Sequence, residues 1–405
     1  MLKLKYLRHP LRTAKTAKGL FAARWGMWRF ASYGERRFRG DARFDLNSVT
    51  KGFQSRIDSS SDDTEILKRI CAAYIKATEQ QSSTSEAYHA TEWWQAVRQR
   101  SLGPVVQALV TKDIDSLRRM YRNFYRDACS TGLLSAPYGM AKEYFGGQMK
   151  DVHRRFYLSH VLCRFDYWME QTKGRFTLHD LKGPGVGNPF GVVIDGTHIS
   201  VGSEYAHSCA QQISSQLGAK NPVVAEVGGG FGGMAYYLLR DLPGVTYFDF
   251  DVPESIALAT YYLMKSFPTL KFLLYGEEDL SAIARADVVL FPVFELARMP
   301  AQSVDLTFSS HAMSDISPGV MTEYLRNIDR MTRDSFFYMG RQRGSEAIEA
   351  LIKKEHTSFE LAETRTSGWH SHKVSGAGVG GAAGLADSTI LEQRYMRSTN
   401  FPNGL

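Results

Sequence analysis

The chain has 405 residues, 43% of them hydrophobic and including 23 Phe, 20 Tyr and 6 Trp, which excludes disorder over the bulk and allows more than one folded unit. Its four cysteines, Cys71, Cys129, Cys163 and Cys209, fall at no ligand or disulfide spacing, so they read as buried thiols in a reducing compartment and no metal site is expected. The formal charge of +7 is unevenly placed: residues 1–40 hold eleven Lys/Arg against the single acid Glu35, a net +10 that leaves −3 on the rest and argues against a nucleic-acid-binding body.

Within residues 1–40, Pro10 interrupts the chain, and Leu11 to Phe30 then suits a basic amphipathic helix bearing Leu20, Phe21, Trp25 and Trp28. Such a helix fits the surface of an anionic membrane. A helix packed on the body and a presequence are the other readings of the same pattern. No stretch reaches the roughly 18 apolar residues of a membrane span, and no secretory signal is recognised, so a cytoplasmic protein is expected, if anything at the cytoplasmic face of a membrane. The run Ser59–Asp63 reads as a linker ending in a helix start, with Asp62 or Asp63 as the cap. Ile66, Leu67, Ile70, Cys71 and Tyr74 then recur at helical spacing. Helical texture continues to about Gly174, with Trp93-Trp94, Leu117–Tyr125 and Phe156–Met169 as apolar landmarks, so residues 41–175 are expected to form a helical domain.

After Gly174 the texture changes. Gly183–Gly191 is a turn-rich crossing, Val192–Thr197 reads as a short hairpin, and a helix from about Ser203 to Leu217 precedes the most informative stretch. Residues 223–233, VVAEVGGGFGG, form an apolar strand running straight into a glycine loop, with a helix under way by Ala235. Such a turn lets a ligand approach bare backbone N–H groups. Gly228, Gly230 and Gly233 also fit the dinucleotide pattern G-x-G-x-x-G, so an NAD(P)-dependent oxidoreductase is one reading of the loop.

Two features favour S-adenosylmethionine instead. Glu226 stands two residues before Gly228, giving E-x-G-x-G-x-G through Gly230 and Gly232; an acid there repels a pyrophosphate but suits an ammonium and a sulfonium. Residues 245–251, VTYFDFD, are the next strand and place Asp251 at its end, where a carboxylate can accept both ribose hydroxyls; Asp249 shares its face. Lys271–Tyr275 and Asp287–Phe291 both compete for the third strand, with Glu277 and Glu278 as neighbours of an adenine. Val304–Ser309 and Ser335–Gly340 are the fourth and fifth. The order is that of an α/β, Rossmann-like doubly wound sheet, expected to occupy residues 176–405.

Three segments, Glu226–Gly233, Phe250–Glu254 (FDVPE) and Ser303–Asp315 (SVDLTFSSHAMSD), resemble the bacterial sugar O-methyltransferases. Gly187-Asn188-Pro189 and Asn123–Arg126 (NFYR) are similar to that family as well, so the resemblance spreads over roughly residues 90–395. It implies a class I methyltransferase that uses S-adenosylmethionine to methylate a sugar hydroxyl in glycan or polysaccharide biosynthesis. The loop Ser309–Asp315 departs from the family's usual Asn and Glu, so the acceptor contacts are this chain's own.

Methyl transfer to a hydroxyl needs alignment, exclusion of water and a base. His311 is the first candidate base, because an unperturbed imidazole, with a pKa of about 6.5, is largely neutral in the cytoplasm. Asp315 is placed to orient it, or to contact sugar hydroxyls, and His207 and Tyr205 are second-tier candidates. Ser310 and Asn188 join Glu226, the glycines and Asp251 as cofactor contacts. His370 and His372 precede the glycine-rich stretch 376–384, which reads as a mobile lid. A non-catalytic binding protein that keeps the fold is the remaining alternative.

Overall fold

The computed structural model describes residues 10–58, 62–134, 149–314, 316–371, 374 and 389–398. The basic segment forms α1 (Pro10–Arg37), with Pro10 in the first turn, where its missing N–H costs nothing. Helical spacing before Gly174 corresponds to α2 (Leu46–Gly52), α3 (Thr64–Gln81), α4 (Glu92–Val97), α5 (Gly103–Thr111), α6 (Ile114–Tyr121) and α7 (Asp151–Gln171). The last third of α1 lies along α7. Phe30 and Ala31 are buried there, and Gly34 comes so close that a Cβ would fall 2.0 Å from Ser159 Oγ.

The start of α3 divides two tasks between neighbouring acids. Asp63 holds the N-cap position without a side-chain cap bond, and Asp62, one residue earlier, accepts the Thr64 N–H at 3.0 Å. Asp63 turns inward and is buried, taking Arg118 Nε at 2.8 Å, Arg122 Nε at 2.9 Å and the Tyr261 hydroxyl at 3.1 Å. Burial alone would push the Asp63 carboxyl up, but the Arg122 and Arg118 guanidiniums hold it below the usual carboxylate range.

The expected hairpin is present as β1 (Gly191–Ile194) and β2 (Thr197–Ser200), joined by Asp195-Gly196, both at positive φ as a tight two-residue turn requires. After α8 (Ser203–Ser214) the main sheet begins. It contains β3 (Val223–Val227), β4 (Thr246–Asp251), β5 (Phe272–Leu274), β6 (Val288–Pro292), β7 (Val304–Ser310), β8 (Thr332–Arg341), β9 (Phe359–Thr366) and β10 (Ile390–Arg397). Its order is β5-β6-β4-β3-β7-β8-β10-β9. The first six are mutually parallel, and β10 runs antiparallel to both β8 and β9. The crossovers carry α9 (Gly233–Asp241), α10 (Pro253–Ser266), α11 (Pro318–Met331) and α12 (Gln342–Lys354).

Successive strand residues face opposite sides, and both sides are covered. Val224, Tyr247, Leu290 and Phe308 join α8, α9, α10 and the helical region in one continuous core; Ala225, Phe248, Phe291 and Phe336 pack with α11 and α12 in the other. The helical stretch 41–175 therefore shares a core with one face of the sheet. This is the Rossmann-like, doubly wound α/β sheet that the sequence leads one to expect, with a reversed β10 that an all-parallel order lacks.

Two details differ from the expectation. Both candidates for the third strand belong to the sheet: β6 pairs with β4, and β5 lies outside it at the edge. Neither β9 nor β10 was foreseen; β9 is an edge strand whose exposed Glu360, Glu363 and Arg365 hide any apolar alternation.

Candidate active site

The strand order changes direction at β3, which has β4 on one side and β7 on the other, and crevices at the carboxyl ends of such strands hold ligands. A cavity of about 450 Å³ lies there. Its floor is the loop Glu226–Phe231 with Asp251, Ser310 and His311, and its roof comes from the helical region through Tyr88, Trp93, Trp94, Leu133 and Leu134.

Register explains why the acids gather. Glu226 stands opposite Asp249, and Val224 opposite Tyr247, so Glu226, Tyr247, Asp249 and Asp251 all face the side covered by the helical region. Tyr247 donates its hydroxyl to Glu226 Oε2 at 2.6 Å. Burial raises the Glu226 carboxyl to about 7, with the Tyr247 bond pulling it back and the charge of Asp251 pushing it up. Asp249 and Asp251 are also raised above the ordinary range, chiefly by burial.

The glycine loop is built around these carboxylates. Gly228, Gly230 and Gly232 have φ of +87°, +63° and +86°, a region only glycine enters freely, and a Cβ on Gly228 would lie 2.1 Å from that of Ala312. Four of the loop amides are already committed inside the protein. Gly228 N–H donates to Phe250 O at 2.9 Å, Gly229 N–H to Asp249 Oδ1 at 3.2 Å, Gly230 N–H to Asp251 Oδ2 at 3.0 Å, and Gly232 N–H to Gly229 O at 3.1 Å. Among the described residues, the cavity lining contains Glu226 and Asp251 but no Lys or Arg. A pyrophosphate would meet occupied donors and negative charge, whereas a cationic ligand meets what it needs.

Asp251 also accepts the Val252 N–H at 2.6 Å. Each of its oxygens thus holds one backbone donor and keeps a second lone pair for a ligand hydroxyl. Val252 and Val293, which follow the paired Asp251 and Pro292, supply apolar walls beside it for a flat ring.

At the end of β7, Ser309 donates its hydroxyl to Val227 O at 2.9 Å, tying that strand to β3, and Ser310 Oγ lies 2.8 Å from the Tyr205 hydroxyl. His311 follows at φ +64°, a left-handed backbone unusual for a side-chain-bearing residue. Its N–H donates to Met339 O at 2.7 Å, and its ring centroid is 5.2 Å from that of His370. Burial, with His311 and Arg164 nearby, draws His370 down to about 4, so its ring is neutral.

The structure does not bring every expected residue to the cavity. Asn188, also in the left-handed region, is a clamp: its Oδ1 accepts Arg56 N–H at 2.7 Å, its Nδ2 donates to Asn123 Oδ1 at 2.7 Å, and its carbonyl accepts Arg126 Nε at 3.0 Å. The two short motifs 187–189 and 123–126 thus meet each other and tie the helical region to the segment that leads into the β1–β2 hairpin. His207 is buried away from the cavity, where its Nδ1 accepts Trp168 Nε1–H at 3.1 Å among Phe176 and Tyr237. Burial lowers it to about 4. Tyr205, two residues earlier on α8 and so about 200° away round the helix, lines the cavity instead.

Gly232 caps α9 and faces Leu263 behind the cavity. Glu277 pairs with Arg69 and Glu278 with Arg285, neither in the cavity, because β6 separates β5 from the site. Asp315, His372 and the stretch 376–384 lie outside the described residues. Among the described residues no three His, Cys, Asp or Glu side chains gather as metal ligands, and no helix is long and apolar enough to cross a membrane. Sequence reasoning missed the roof. The Trp93-Trp94 pair and Tyr88 carried no signal except aromatic side chains in a region read as core.

No family model matches the chain, and none of the curated proteins is similar to it. Among solved structures, it is similar to a magnesium protoporphyrin IX methyltransferase from Synechocystis PCC 6803 crystallised with S-adenosylmethionine, at 11% identity over 48% of this chain and 79% of that one, with a TM-score of 0.33. It is also similar to an S-adenosylmethionine-dependent methyltransferase from Aquifex aeolicus, at 11% identity over 47% of this chain and 89% of that one, with a TM-score of 0.31. Likeness this slight carries no argument about activity, and the fold assignment rests on the strand order given above.

Proposed function

We propose that the chain is an S-adenosylmethionine-dependent O-methyltransferase acting on a sugar hydroxyl within glycan or polysaccharide biosynthesis. One observation carries the cofactor reading: the amides of Gly228, Gly229, Gly230 and Gly232 are committed inside the protein, beside acids and without a cationic side chain in the described lining. That arrangement weighs against a nicotinamide dinucleotide. Asp251 would hold the ribose hydroxyls, Val252 and Val293 the adenine, and Glu226 the charged amino-acid end. S-adenosylmethionine supplies an electrophilic methyl carbon. The chain's share is to hold the acceptor oxygen in line, keep water out and remove a proton. The stacked rings of Tyr88 and Tyr324, with centroids 5.6 Å apart, and the neighbouring Trp93 offer flat faces to an uncharged ring-shaped acceptor. In this reading His311 takes the hydroxyl proton, which its position in the cavity lining beside Ser310 and Tyr205 supports.

Calorimetric titration with S-adenosylhomocysteine, beside NAD and NADP, tests the reading. The first ligand alone should bind, and Asp251→Ala should weaken it by roughly 10- to 100-fold, the loss of charge-assisted hydrogen bonds. Binding of a nicotinamide cofactor instead would overturn the proposal. Methyl transfer is then to be sought across neutral glycosides and nucleotide-linked sugars.

The raised Glu226 carboxyl predicts the pH dependence. Near 7 it passes from ionised to protonated as pH falls, and only the ionised form attracts a cation. Affinity should therefore drop several-fold from about pH 8 to about pH 6. Tyr247→Phe, which removes the bond stabilising the ionised form, should move the drop to higher pH. Glu226→Gln should flatten it, and a pH-dependent affinity retained in that variant would assign the titration to another group.

A further inference from the structure

Helix α1 has two apolar faces, and among the described residues only one of them packs on a partner. Phe30, Ala31 and Gly34 face α7, where Phe30 lies 5.6 Å from the Phe156 ring. At 3.6 residues per turn, Phe21, Trp25 and Trp28 fall within about 60° of one another on the opposite side. They are 71%, 52% and 49% exposed, and the two indoles stack at 5.2 Å. The described positions 19, 21, 22, 24 and 25 are all exposed, so these residues stand clear of the body. Exposed Arg24 and Arg29 flank the aromatic stripe on its two edges.

We infer that this face of α1 docks on an anionic lipid bilayer, with Phe21, Trp25 and Trp28 at the boundary between headgroups and acyl chains and the flanking arginines on lipid phosphates. Three large rings on one face require an apolar phase, and indoles suit its wet edge, where the N–H keeps a partner. The charge supplies the second, independent argument: residues 1–40 carry eleven cations against Glu35, while the remaining 365 residues sum to −3. Attraction therefore concentrates at this helix, and an anionic surface draws it in while the body stays off. A nucleic acid is disfavoured because the rest of the chain, at −3, adds no net attraction for its phosphates. This docking is independent of the methyl-transfer reading, since no described residue of α1 lines the cavity.

The test is co-sedimentation of the full chain with vesicles of phosphatidylcholine, alone or mixed with phosphatidylglycerol, at low and high salt. The expected result is binding to the mixed vesicles only, weakened by salt. Phe21→Ser/Trp25→Ser/Trp28→Ser should lower vesicle affinity at least tenfold, and Arg24→Gln/Arg29→Gln roughly 30-fold, at about 1 kcal/mol per charge. Unchanged S-adenosylhomocysteine affinity, or an unchanged melting temperature where that ligand does not bind, would show both variants folded. The inference is overturned if the wild type leaves vesicles unbound, if the aromatic variant binds as well as the wild type, if the wild type prefers single-stranded DNA to vesicles, or if the variant converts a dimer into a monomer in sedimentation velocity.

Discussion

His311→Asn should lower kcat for methyl transfer by roughly 10²- to 10⁴-fold, the range a positioned general base contributes, and leave S-adenosylhomocysteine affinity within about twofold of wild type. Asn is the informative replacement because residue 311 has φ +64°, and Asn tolerates the left-handed region better than other side chains that could stand in for His. The backbone of the loop, and with it the contact between Ala312 and Gly228, is then kept while the imidazole is lost. A variant with kcat within about fivefold of wild type would make His311 part of the wall, and the search for a base would pass to Asp315. A variant whose cofactor affinity falls as steeply as its rate would point to collapse of the loop instead.

The second large effect lies far from the reaction. Asp63→Ala should destabilise the chain by about 3 kcal/mol, read as a lower denaturant midpoint, because it strips two guanidiniums and a phenol of one buried partner. Arg118 and Arg122 keep 23% and 17% of their side-chain surface exposed, so both can turn partly to water, which places the loss at the lower end for a broken buried pair. Tyr261 belongs to α10, which packs beside the glycine loop, whereas Asp63 and the two arginines belong to the helical region. The same substitution should therefore uncouple the roof of the cavity from its floor. Acceptor KM should rise more than cofactor Kd. A change below about 0.5 kcal/mol would mean that solvent already satisfies the arginines.

Legibility from the sequence followed the physics of each element. The strand, glycine loop and helix of residues 223–241 announce themselves because an apolar run, obligatory positive-φ turns and a helical repeat leave few other conformations. The hairpin around Asp195-Gly196 is readable for the same reason. The edge strand β9 and the reversed β10 were not, since β9 carries its charges along an exposed edge. His207 and Tyr205 could not be told apart in advance, because helical spacing says that they face different ways but not which of them faces the cavity. Glu277 and Glu278 were placed near an adenine on the assumption that β5 adjoins β4; the insertion of β6 between them moves both acids to the rim.

What the sequence by itself determined is the α/β sheet, its glycine loop, the acids Glu226 and Asp251 at the loop's mouth, and a basic aromatic helix at the start of the chain. These depend on local period, turn chemistry and composition, which act over a few residues. Only the tertiary structure decided that the loop amides are spent on Asp249 and Asp251, that helices from the first half of the chain roof the cavity with Trp93 and Tyr88, that Asn188 joins two segments instead of touching a ligand, and that one apolar face of α1 is covered while the other stays open. Each of those outcomes depends on strand register or on which helix face meets a neighbour, and both are settled by packing between residues far apart in the chain.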